Sequence, residues 1–99
     1  MTVQPGRPPK EAELVGSLAQ FVKRLPSDPR IEHVYWFSED DALKVWTVIP
    51  EPDSILEDAI YDAQMTFIEK TEYLCDFSVI YRFNKSADVI KPQRSRQVR

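Results

Sequence analysis

At 99 residues the chain has the length of one small domain, with no room for a second. Its 42% hydrophobic and 29% charged residues exclude a disordered or collagen-like chain. No apolar run approaches the roughly 18 residues of a membrane span. The formal charge of −3 hides a segregated pattern, net +2 over residues 1–30, −9 over 31–84 and +4 over 85–99.

Residues 1–8 read as a flexible lead, broken by prolines and a glycine. A helix is expected from Pro9, where proline suits the first turn. Leu14, Val15, Leu18, Phe21, Val22 and Leu25 recur at spacings of three and four to make one apolar face. Pro26 ends it and Ser27-Asp28-Pro29 turns the chain. Ile31–Phe37 reads as a strand with large apolar groups on both parities, so both of its faces are expected to be covered. Ser38–Ala42 is a short polar connector and Leu43–Ile49 a second strand, the pair forming an antiparallel hairpin.

Pro50 and Pro52 stop that strand, and a second helix starts at an N-cap of Asp53 or Ser54, with Ser54 and Glu57 at capping-box spacing. Leu56, Ile60, Ala63 and Phe67 line one face of it, flanked by Ile55, Ala59 and Ile68. Tyr73–Phe83 alternates as a third strand, and residues 85–99 read as a basic polar tail. The expected fold is therefore α+β, in α-β-β-α-β order. A three-stranded mixed sheet carries two helices on one face, strands two and three running parallel through a right-handed crossover. The domain spans residues 9–84. The opposite sheet face needs cover from the tail or from another subunit.

Few side chains offer chemistry. Cys75 is alone, so neither an internal disulfide nor a cysteine zinc site can form, and a reducing cytosol is the expected compartment. It lies in an apolar run and reads as a small buried side chain. His33 has no second histidine and reads as structural. Gly6 and Gly16 are the only glycines, so there is no phosphate-cradling loop, and Gly16 reads as a close-packing position in the first helix. No cofactor motif is present. Asp76, in mid-strand, must be exposed or paired, and Lys44 across the parallel strands is its first expected partner.

The stretches Val34–Ser38, Leu43–Pro52 and Cys75–Ile80 resemble the minimal nucleotidyltransferase domain of the DNA polymerase beta-like superfamily. The resemblance implies a Gly-Ser turn after the first strand, an Asp-x-Asp pair opening the second and a third acid on the last. Here Phe37 stands at the glycine position with Ser38 retained. Ala42 and Lys44 stand where the two aspartates fall, and only Asp76 matches the third acid. Two-metal phosphoryl transfer needs clustered carboxylates, and a lysine among them repels the ions. The resemblance therefore implies a version of the fold without its metal site.

The expected function is a small non-catalytic interaction protein, a homodimer or bound to a protein partner. Two alternatives stand beside it. One is a metal-dependent nucleotidyl or phosphoryl transferase using Asp40, Asp41 and Asp76. The other is a nucleic-acid-binding module using Lys91, Arg94, Arg96 and Arg99 of the tail, against which the acidic centre works.

Overall fold

The computed structural model describes residues 11–71 and 74–99. The expected lead over residues 1–8 and the helix start at Pro9 lie outside them. The elements run α1 (Glu11–Arg24), β1 (His33–Glu39), β2 (Ala42–Ile49), α2 (Ser54–Lys70), β3 (Cys75–Tyr81), α3 (Ala87–Ile90) and β4 (Arg96–Gln97).

β1 and β2 form the antiparallel hairpin, in register from His33↔Val48 to Glu39↔Ala42. Its two-residue tip, Asp40-Asp41, has φ of 54° and 61°. Two left-handed residues match the twist of the flanking strands, and aspartate tolerates that conformation better than most residues. The N-cap of α2 is Asp53, not Ser54: the Asp53 carboxylate accepts from the Leu56 N–H at 3.0 Å, and Glu57 Oε2 accepts from the Asp53 N–H at 2.9 Å. The reciprocal cap thus spans 53 to 57, one residue longer than the Ser54–Glu57 spacing suggests. β2 and β3 pair in parallel, Leu43↔Cys75 through Ile49↔Tyr81. β3 stops short of the expected Phe83, whose φ of 51° turns the chain out of the strand.

The expectation of three strands and two helices is overturned. Among the described residues the sheet has four strands in the order β3-β2-β1-β4, and three helices are present. The additional elements come from the stretch read as tail. α3 is a single turn and β4 pairs antiparallel with β1 through Tyr35↔Gln97 and Trp36↔Arg96. The Val98 N–H donates to the Val34 carbonyl at 2.9 Å, and the Val34 N–H donates to the Arg99 carbonyl at 3.2 Å. Arginine and glutamine carry no strand signal, so the pairing comes from the free outer side of β1 and not from local preference.

α1 and α2 share one sheet face. Leu14, Leu18 and Phe21 of α1, Leu25 just after it, and Leu56, Ile60, Ala63 and Phe67 of α2 close over Val34, Trp36, Leu43, Val45 and Ile49. Phe21, Phe67 and Phe77 meet in a three-ring cluster, with centroids 5.3 to 6.1 Å apart. Fully burying one such ring stabilises by about 1.5–3 kcal/mol. Three residues read into or beside the helix faces are exposed: Val15 on α1, and on α2 Ile68 and Ile55, the last at 83%. Gly16 is not a packing contact, since a Cβ built there meets nothing within 4 Å. On the other sheet face Tyr35 is nonetheless only 2% exposed. Lys91 Nζ lies 5.9 Å from the Tyr35 ring centroid, so the returning chain supplies cover there.

Candidate interaction surface

The register sets Lys44 directly beside Asp76, and Lys44 Nζ donates to Asp76 Oδ2 at 2.8 Å. This bond to the carboxylate holds the lysine pKa above its ordinary value. Asp76 therefore has the partner expected for it, across an exposed edge of the sheet. Asp40 and Asp41 sit in the hairpin turn. Among the described residues, no group of three or more histidine, cysteine, aspartate or glutamate side chains is placed to hold a metal ion.

Lys91, Arg94, Arg96 and Arg99 of the C-terminal segment are spread through the fold. The Arg99 guanidinium donates to the carbonyls of Pro26 and Asp28, at 3.0 and 2.9 Å. Arg96 lies over the Trp36 ring at 5.5 Å, Lys91 is over Tyr35, and Arg94 occupies a turn with φ of 61°. His33 stacks on Tyr35, and its Nδ1 is 3.2 Å from Gln97 Nε2, so it is built into the β1–β4 junction. The Cys75 thiol is half-buried, and burial pushes its pKa up to about 11, which suppresses the reactive thiolate.

Sequence reasoning did not single out the outer side of β3. β3 ends the strand order, so among the described residues its outer edge has no strand neighbour. The Leu43 N–H donates to the Leu74 carbonyl and the Arg82 N–H to the Ile49 carbonyl. Alternate residues of a parallel strand bond to the same neighbour, so the even-numbered residues of β3 serve β2. Phe77, Val79 and Tyr81 then direct their backbone N–H and C=O outward. Open edges of this kind are pairing templates and are normally blunted by charge, proline or a bulge. Here the strand reads Cys-Asp-Phe-Ser-Val-Ile-Tyr, with one charge in seven residues.

An exposed apolar stripe runs beside that edge. Tyr61, Met65 and Ile68 of α2 are 45%, 54% and 44% exposed, and Leu74 adjoins them in sequence at the start of β3. At about 100° per residue, Tyr61 and Ile68 lie within roughly 20° of each other on the helix. The opposite flank of α2, with Thr66 and Lys70, lines a groove with Ser17, Gln20 and Arg24 of α1. The Tyr61 flank turns toward β3, because Glu57 Oε1 accepts from Tyr81 Oη at 2.6 Å and from Tyr61 Oη at 3.3 Å. The available signal was three apolar residues on α2 at i, i+4 and i+7, offset from the core stripe.

Comparison with protein-family models, with curated proteins and with solved structures gives no match. None of the described helices is long and apolar enough to cross a membrane.

Proposed function

We propose that the chain is a small non-catalytic interaction protein that binds a protein partner by adding a strand to β3, with the Tyr61–Met65–Ile68 stripe as the flanking contact. The observation that carries this reading is the coincidence of the two features on one side of the molecule. Along Phe77, Val79 and Tyr81 an apolar edge with no strand neighbour among the described residues supplies backbone hydrogen bonds, and the adjoining stripe supplies the apolar area that backbone pairing alone lacks. On this reading the protein resembles a nucleotidyltransferase domain that keeps the strand–helix–strand frame without the carboxylate site. Support comes from Lys44, which stands at one of the aspartate positions and holds Asp76 as an ion pair. A lone, weakly acidic thiol suits a reducing compartment, and we place the protein in the cytoplasm.

Two measurements test this. Incubation with labelled nucleoside triphosphate and magnesium or manganese is expected to give no transfer. Turnover abolished by Asp76→Ala would establish the enzymatic alternative. Association, measured by sedimentation and by affinity capture from the native host, is expected to fall in Met65→Lys/Ile68→Lys. These positions are exposed, so the substitutions leave the core intact. Wild type and variant behaving alike in both assays would refute the reading.

A further inference from the structure

Resting on that reading of β3 as a binding edge, we infer that the partner is a second copy of the chain, joined antiparallel through β3 about a two-fold axis at Val79. An antiparallel pair is hydrogen-bonded where outward-facing residues meet. About Val79 the outward residues meet one another: Val79 faces Val79, and Phe77 faces Tyr81 of the second copy. Between them Ser78 faces Ile80, and Asp76 faces Arg82.

The charges select this register. Centring on Ser78 sets Asp76 against Ile80 and Leu74 against Arg82. Centring on Phe77 sets Asp76 against Ser78, and centring on Ile80 sets it against Asn84. Of these, only the Val79 axis places Asp76 of β3 opposite Arg82, the residue that follows the strand, and symmetry makes the pair twice. Each charge already has an opposite partner within its own chain, Lys44 on Asp76 at 2.8 Å and Glu32 on Arg82 at 2.6 Å. Across the seam the order becomes Lys44, Asp76, Arg82, Glu32, alternating in sign throughout. Lys44 holds Oδ2 of Asp76 and the Asp76 side chain is 59% exposed, so the carboxylate can receive a second cation. On the helix side of the sheet, the Tyr61 flank of α2 projects toward the same edge, and the two-fold axis brings the stripes of both copies together above the paired strands. The surface is complementary to itself in backbone, charge and apolar contact, as an isologous interface requires.

The test uses the full chain. At on the order of 100 μM, well above a micromolar Kd, light scattering is expected to give twice the 11.5 kDa monomer mass. Val79→Pro removes an outward N–H and breaks no bond to β2, so it is expected to give a monomer with the wild-type circular dichroism. In a Cys75→Ser background, Ser78→Cys/Ile80→Cys is expected to cross-link the copies under mild oxidation, and neither single cysteine variant as efficiently. Ser78→Cys alone cross-linking as well as the pair would overturn the Val79 register in favour of one centred on Ser78. A dimer unaffected by Val79→Pro would overturn the edge pairing. A monomeric wild type would overturn the second copy as occupant. In that case, capture of one defined protein, lost in Val79→Pro, would leave the interaction reading standing, whereas a dimer appearing on deletion of residues 1–10 would assign the edge to the chain's own N-terminal segment.

Discussion

Glu57 joins the start of α2 to the end of β3, and its removal should be among the costliest single changes outside the apolar core. The residue is 8% exposed. Its two oxygens accept from the Asp53 N–H and from the hydroxyls of Tyr81 and Tyr61. Glu57→Ala removes a capping interaction of about 1 kcal/mol and a short hydroxyl-to-carboxylate bond of roughly 1.5–3 kcal/mol. The Tyr61 bond, long and on an exposed ring, adds little. The expected loss is about 2–4 kcal/mol, which in a domain of this size lowers Tm by roughly 10–25 °C. Glu57→Gln keeps the shape and one acceptor, and the tyrosine hydroxyl can rotate to accept from the new amide. It should cost only about 1 kcal/mol. Urea denaturation of wild type, Glu57→Ala, Glu57→Gln, Tyr81→Phe and the Glu57→Ala/Tyr81→Phe pair gives the coupling energy directly. A Glu57→Ala loss below roughly 0.5 kcal/mol, or additive effects of Glu57→Ala and Tyr81→Phe, would refute this account of the α2–β3 junction.

Acid should destabilise the protein in a defined window. The Arg30 guanidinium holds Asp28 down to about 2, the Arg82 guanidinium lowers Glu32, and the Leu56 N–H lowers Asp53. A carboxylate depressed in the folded state contributes stability above its unfolded pKa and loses it as pH falls through the folded one. The urea midpoint should therefore fall from about pH 4.5 toward pH 2, and Arg82→Met should flatten the upper part of that slope. At the hairpin tip, Asp40→Asn/Asp41→Gly supplies the residues preferred at two positive-φ positions and should raise stability by about 0.5–1 kcal/mol in thermal melts. Gly16→Ala, in open space on α1, should gain a similar amount, roughly 0.5–1 kcal/mol, and a loss instead would mean that the position has a contact. Deleting residues 95–99 removes both backbone bonds to Val34, the Arg99 bonds to two carbonyls and the Val98 packing. At about 1 kcal/mol for each of these the loss should be roughly 3–5 kcal/mol. A disposable tail would leave the melt unchanged.

The order of α1, β1, β2, α2 and β3, and the buried stripes Leu14-Leu18-Phe21-Leu25 and Leu56-Ile60-Ala63-Phe67, were legible in the sequence because their signals are local. Helical spacing, alternation and the two prolines after Ile49 each act over a few residues. The same holds for the Lys44–Asp76 pair, since a parallel crossover with both strands ending in polar turns leaves little choice of register. The outer limits of each stripe were less legible. Ile55 and Ile68 sit beside core positions in the helical pattern, yet both are exposed, on flanks of α2 about 140° apart.

Other features were settled by the assembled fold. Nothing in Arg96-Gln97 favours a strand. The pair becomes one because β1 presents an open side with donors and acceptors to be satisfied, and the returning chain reaches it. The basic C-terminal segment is thereby a structural edge, with Lys91, Arg96 and Arg99 set over aromatic rings or against backbone carbonyls. The opposite edge, β3, receives no such cover among the described residues. The sequence determined which segments become helices and strands, through short-range periodicity and turn chemistry. Which edge of the sheet is closed and which stays open was decided only in three dimensions, because hydrogen-bond satisfaction at a sheet edge depends on residues more than fifty positions apart in the chain.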